Sequence, residues 1–209
     1  MTVHQAAAAV PGIRRARQEE RDAIGRLIGE AFFEDPVSAW VFPDADRRRA
    51  VQPDFFGVFL DAGLRHGWVD VTDDLSAVAV WLPVTVDAPE GDHASGDDMG
   101  ERLARADAGN ERARTVVELM GRIHPTDRSH YYLPAIAAAP ARQSAGRGRA
   151  LLTATLDRCD AEGVPAYLEA SSARSRALYA RLGFTDTGAP VELPDGGPSL
   201  WPMWREPRP

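Results

Sequence analysis

The sequence predicts a mixed α/β fold built on a central sheet, and three observations carry that expectation. The second half reads strand, loop-helix, strand, helix through YYLPAIAAAP, RQSAGRGRALLTATLDRCDAEG, VPAYLEASS and ARSRALYARLGF, which is a βαβα unit. In the first half, GWVDVTDDLSAVAVWLP places two apolar, alternating runs on either side of the turn signal TDD, as a hairpin does. The chain has 209 residues, 44% of them hydrophobic, which suits one domain with a substantial core and leaves two full domains cramped.

The elements follow in order. A short strand near Gly12–Ala16 precedes a helix over Glu19–Phe33, in which Ile24, Leu27, Ile28, Ala31 and Phe32 fall at helical spacing. The stretch DPVSAWVFP reads as a breaker. A second helix over Ala45–His66 can cover one side with Phe55, Phe56, Phe59, Leu60 and Leu64, and Pro53 is expected to interrupt it because the ring removes a donor. After the hairpin, the Gly-, Asp- and Pro-rich run VDAPEGDHASGDDMG is expected to form a mobile loop over 86–97, leading into one helix over Asp98–Arg122. Residues 1–11 are expected to be flexible, and LPDGGPSLWPMW supplies a Gly-rich turn and a last strand, Ser199–Arg205.

Composition removes several function classes. The net charge is −7 and the Arg residues are scattered among Asp and Glu, which argues against a nucleic-acid or anionic-membrane partner. No apolar run approaches the roughly 18 residues that span a bilayer, and MTVHQAAAAVPG lacks a basic n-region, so a cytoplasmic protein is expected. The single cysteine, Cys159, shares a helical face with Leu152 and Leu156, which suits burial better than catalysis. The five histidines are dispersed without an HExxH pair, so no metal is expected. Ser171 and Ser172 lack a G-x-S-x-G elbow, which leaves hydrolase chemistry without a motif.

The sharpest chemical feature is Gln143-Ser144-Ala145-Gly146-Arg147-Gly148, which follows a strand and opens a helix with the face Leu151, Leu152, Thr155, Leu156 and Cys159. A helix N-terminus presents unpaired N–H groups, and glycines let a phosphate approach the backbone. Arg142, Arg147 and Arg149 add local positive charge to an acidic chain. A tight turn alone is the plainer reading of Gly-x-Gly. Arg149 and Ala150 after Gly148 satisfy neither the Walker pattern nor the dinucleotide fingerprint.

Gln-x-x-Gly-x-Gly after a strand, followed by LEASSARSRALYARLGF, resembles the acetyl-CoA-binding core of the GNAT acyltransferases. AFFEDPVSAW, VDVTDDLSAVAVW, YYLPAIAAAP and LPDGGPSLWPMW extend the similarity toward the puromycin N-acetyltransferase-like members. The resemblance implies a GNAT fold, a mixed sheet whose parallel strands Tyr132–Ala138 and Ala166–Ser171 splay into a cleft, within an acetyl-CoA-binding core over 130–188. It implies acetyl-CoA as co-substrate, with the pantetheine arm on the backbone of Ile136, Ala137 and Ala138. The amides from Gln143 through Ser144, Ala145, Gly146, Arg147 and Gly148 to Arg149 would take the pyrophosphate. Ser175 stands where many members carry an Asn that supports the cofactor, which puts cofactor affinity in question.

The implied reaction is direct attack of a small-molecule primary amine on the thioester, the acceptor being an aminoacyl-nucleoside antibiotic if the subgroup resemblance holds. Tyr179 matches the family tyrosine near the sulfur and is the candidate acid for the departing thiolate; packing beside Leu178 and Leu182 is its plainer reading. Glu169 is the first candidate base. Its strand alternation leaves open whether it faces the cleft or a helix, where Arg174 or Arg176 would pair with it. Glu34 and Asp35 are candidates for holding the substrate cation, and Tyr132 for lining the acceptor site. A monomer or homodimer is expected. The alternative is a GNAT-like domain that binds acetyl-CoA without catalysis.

Overall fold

A computed structural model describes residues 11–86 and 96–209. Its centre is one sheet. Strands β1 (Ile13–Arg15), β2 (Trp68–Thr72), β3 (Ala77–Val84), β4 (His130–Ala138), β5 (Ala166–Ala170), β6 (Thr185–Asp186) and β8 (Ser199–Arg205) run in the order β1-β2-β3-β4-β5-β8-β6, and β7 (Val191–Glu192) also pairs with β8. The expected hairpin is β2–β3, antiparallel, and the parallel pair is β4–β5. The short strands β6 and β7, two residues each, were not legible; two residues carry too little alternation to read.

Alternation along β3 organises the layers. Ala77, Ala79 and Trp81 face the side where Leu151, Leu152 and Leu156 of α6 (Arg147–Glu162) and Tyr179 of α7 (Ala173–Arg181) pack. Val78 and Val80 face the other side, against Ile24, Leu27 and Ile28 of α1 (Arg21–Phe32) and Leu60 of α3 (Ala45–His66). Both faces of the central strand are thereby covered, which accounts for its run of fully buried residues. Cys159 is buried on α6, as its spacing indicated.

Three expectations about helices are corrected. The stretch read as a breaker contains α2 (Pro36–Val41): Asp35 caps it by accepting from the amides of Val37 and Ser38, and Pro36 occupies the first turn, where its missing N–H costs nothing. Pro53 does not interrupt α3, which runs unbroken for 22 residues. Its ring lies against Gly29 of α1, and Gln52 beside it donates to the Gly29 carbonyl, so interhelical packing outweighs the lost backbone bond. The single helix expected over Asp98–Arg122 is two, α4 (Gly96–Ala106) and α5 (Glu111–Ile123). Gly109 between them has a φ of +85°, which a right-handed helix cannot carry, and Asn110 caps α5 by accepting from the Ala113 amide. Of the loop expected over 86–97, positions 87–95 lie outside the described residues, as do 1–10 of the N-terminal segment.

Candidate active site

The cleft originates in a β-bulge. Val80 pairs with Ala135 and Leu82 with Tyr132, so Leu133 and Pro134 of β4 together oppose Trp81 of β3. A bulge bends its strand, and proline has no N–H to give to a ladder. Pairing between β4 and β5 stops at the same place: Tyr131 is in register with Ala166 and Tyr132 with Tyr167, and no pair follows. Ile136, Ala137 and Ala138 therefore remain bonded to β3 on one side while their other edge is unpaired with β5.

Beyond the end of β4, a 3-10 turn (Pro140–Arg142) leads to the glycine loop. Ser144 and Gly146 both take positive φ, +61° and +79°, and Gly146 is the N-cap of α6. The first intrahelical bond runs from the Ala150 amide to the Gly146 carbonyl at 3.0 Å, so the amides of Arg147, Gly148 and Arg149 have no acceptor within the helix. Successive N–H groups in such a turn form a concave anion site. Arg174 of α7 reaches over the loop to Ser144 Oγ at 2.7 Å, and among the described residues it has no carboxylate partner. The spacing had not singled it out.

Arg147 serves otherwise than expected. Its guanidinium is 4% exposed and donates to Ser76 Oγ at 2.6 Å and Asp74 at 3.3 Å, in the β2–β3 turn. Its charge is thus neutralised within the fold, and it ties the start of α6 to the hairpin. Asp74, held by Ser76, Thr72 and Arg147, has its carboxyl lowered far below the usual range.

On the open side of the bulge lies a cavity of about 1070 Å³, walled by α1, α2 and α3, by α4 and α5, and by the diverging ends of β4 and β5. Leu168 and Ala170 of β5 pack toward α6 and α7, which leaves Tyr167 and Glu169 on the opposite face. Glu169 lines the cavity with a side chain only 2% exposed, and neither carboxylate oxygen has a hydrogen-bond partner among the described residues. His124, the C-cap of α5, stands beside it with Nδ1 3.9 Å from Oε1, and the Tyr132 and Tyr167 phenols also face it. Burial, then the Glu169 charge, holds the Tyr132 and Tyr167 phenols well above their ordinary ionisation range. Tyr179 also lines the cavity; burial and then Asp35 raise its ionisation likewise.

Residues 98–184 match the acetyltransferase (GNAT) family profile. A Corynebacterium glutamicum structure described as histone acetyltransferase HPA2 and related acetyltransferase is 26% identical, with a TM-score of 0.70 over 96% of this chain and 98% of its own. This chain has the GNAT fold. An uncharacterized N-acetyltransferase of Schizosaccharomyces pombe is 22% identical over 82% of this chain and 73% of its own length. Arylalkylamine N-acetyltransferase 2 of Aedes aegypti shares the GNAT architecture at 11% identity, with a TM-score of 0.60 over 94% of this chain and 99% of its own.

Within this GNAT framework, Tyr132, Glu169, Tyr179 and Asp35 converge on one cavity. Glu169 pairs with neither arginine weighed for it, since Arg174 bonds Gln143 and Ser144 and Arg176 bonds Asp186. Asp35 lines the cavity with its oxygens already engaged, by the α2 amides and by the Ser171 hydroxyl. Burial raises its carboxyl pKa against the lowering effect of those donors. Glu34 is exposed and outside the cavity lining. Ser175 does not extend toward the glycine loop: its hydroxyl donates to the Ser172 carbonyl, and the two serines form a capping box at the start of α7. Trp81 is fully buried in the core beside α6. Among the described residues no group of His, Cys, Asp or Glu is arranged to hold a metal ion, and no helix is long and apolar enough to cross a membrane.

Proposed function

We propose that this chain transfers the acetyl group of acetyl-CoA to a primary amine of a small molecule by direct attack in a ternary complex. The observation that carries the reading is the buried, unpartnered carboxylate of Glu169 facing the cavity where β4 and β5 part. A buried carboxylate without donors is costly unless a cation or proton completes it, and an ammonium supplies both. The unpaired edge of Ile136–Ala138, the amides of Arg147–Arg149 and the uncommitted guanidinium of Arg174 fit a pantetheine arm followed by a pyrophosphate.

Acetyl-CoA supplies the thioester as co-substrate. Glu169 accepts the proton that the ammonium loses, which frees the nitrogen lone pair to form the N–C bond. A backbone N–H of the Ile136–Ala138 segment takes the charge that builds on the carbonyl oxygen. As the C–S bond breaks, the Tyr179 hydroxyl gives its proton to the sulfur. Burial and then Asp35 raise the ionisation of Tyr179, which keeps the phenol protonated at neutral pH and makes it a weaker donor to the thiolate than a free phenol would be.

For the acceptor we propose an aminoacyl-nucleoside amine, supported by the likeness of AFFEDPVSAW and LPDGGPSLWPMW to puromycin N-acetyltransferase-like sequences. The engaged hydroxyl of Ser175 favours a second reading, a GNAT-like domain that binds acetyl-CoA without turning it over. Thiol release from acetyl-CoA across puromycin, other aminoacyl-nucleosides, aminoglycosides, polyamines and amino acids separates the two. Release with one amine class establishes the transferase; calorimetric binding of acetyl-CoA without release by any amine establishes the second reading.

A further inference from the structure

The lining of the cavity around Glu169 is uneven, with phenylalanine rings on one wall and acidic side chains within. Phe32, Phe42, Phe55, Phe56 and Phe59 all line it from α1, α3 and the end of α2. They pack on one another, with Phe32 and Phe56 centroids 4.5 Å apart and Phe55 edge-on to Phe56 at 5.8 Å. The charged lining residues fall into two groups. Glu101, Arg114 and Glu118 are exposed at the rim and satisfied there, Glu101 by Arg105 at 2.6 Å and Arg114 by Glu111 and, at 3.9 Å, Glu118. Inside stand Asp35 and Glu169, both acidic, and no buried Lys or Arg among the described lining residues faces them.

We infer that the acceptor is a monocationic amine with a bulky aromatic or aliphatic body, bearing neither a carboxylate beside the amine nor a second cation at its far end. The inference rests on the proposed acetyl transfer. With the ammonium at Glu169, a carboxylate on the adjacent carbon would be held near two acidic side chains, and His124, the lining ring that could carry a positive charge beside them, already faces Glu169. Masking it as an amide or ester removes that penalty. The far end meets phenylalanine rings, which reward apolar area and return to a buried ammonium less than its lost hydration. Free amino acids and polyamines are therefore excluded for opposite electrostatic reasons, while arylalkylamines and aminoacyl amides are admitted.

The test compares phenethylamine, phenylalaninamide, phenylalanine and spermidine by thiol release at saturating acetyl-CoA. Phenethylamine and phenylalaninamide should each exceed phenylalanine and spermidine in kcat/KM by at least about tenfold. Phe56→Leu, a half-buried and mild change, should raise KM for phenethylamine and leave acetyl-CoA affinity unaltered. Equal or better use of phenylalanine or of spermidine overturns the inference while leaving the transferase intact. No release with any of the four amines, nor with puromycin, overturns the transferase reading itself.

Discussion

His124 Nδ1 stands 3.9 Å from Oε1 of Glu169 and lines the cavity at the C-terminal end of α5. Its ring packs edge-on against Tyr132 at 4.7 Å and Tyr167 at 5.2 Å, so an aromatic collar surrounds the carboxylate. Packing and strand geometry position the carboxylate; the Tyr132 and Tyr167 phenols face it, and neither closes to a hydrogen bond with it.

Glu169→Gln keeps the volume and removes the negative charge. Turnover should fall about 10²-fold or more, the usual scale for a lost general base, while acetyl-CoA affinity stays within error. Steady-state kinetics with titration calorimetry check both; full activity across pH would remove Glu169 from the base role.

Tyr179→Phe deletes one hydroxyl inside the Tyr179–Phe184 packing. If the phenol protonates the leaving thiolate, kcat should drop about 10²-fold with little change in acetyl-CoA binding. Because burial and Asp35 raise its ionisation, the wild-type rate should show no alkaline limb near pH 10 from this group. Unchanged turnover in the variant would assign Tyr179 to packing alone.

Arg147 and Asp74 should act on the cofactor loop as one unit. Arg147→Lys cannot reproduce the fork that engages Ser76 and Asp74, and Asp74→Asn removes the charge it meets. Each should weaken acetyl-CoA binding, and the double variant should lose little more than either single one. Additive losses measured by calorimetry would show that the two act independently.

His130 makes the fold sensitive to mild acid. Burial lowers its pKa to about 4 from the ordinary 6.5, helped by His124 and Arg128 and opposed by the Arg128 carbonyl and Asp127. Between these values the unfolded chain binds a proton that the folded chain does not. Stability is therefore fully present above about pH 6.5 and declines as pH falls toward 4, by on the order of 3 kcal/mol at most. Urea unfolding at pH 7 and pH 5 should show a smaller acid loss for His130→Phe than for wild type; identical losses would remove His130 as the source.

Much of this arrangement was legible in the sequence because it is local. The bounds of β8 and α3, the β2–β3 hairpin, the burial of Cys159 and the helix opening at the glycine loop each follow from patterns within about a dozen residues. Missed elements also had local signals: Asp35-Pro36 is a helix start, Gly109-Asn110 a stop and a start, and Pro134 marks an irregularity inside a strand. The two-residue strands β6 and β7 carried no readable alternation, and the contacts of His124 and Arg174 lacked a local signal because their partners lie 45 and 30 or more positions away in the chain.

The sequence by itself determined most of the order of elements and the glycine loop that opens α6, because propensity, periodicity and motif spacing act over short stretches. Tertiary structure alone decided which charges are free to act. Alternation allowed Glu169 two faces, and the packing of Leu168 and Ala170 against α6 and α7 turned it into the cavity. Arg147, Asp35 and Ser175 had suitable chemistry on paper, yet Asp74, Ser171 and Ser172 engage them. A side chain's availability depends on what the rest of the fold brings within about 3 Å of it, and that is a property of the packed chain.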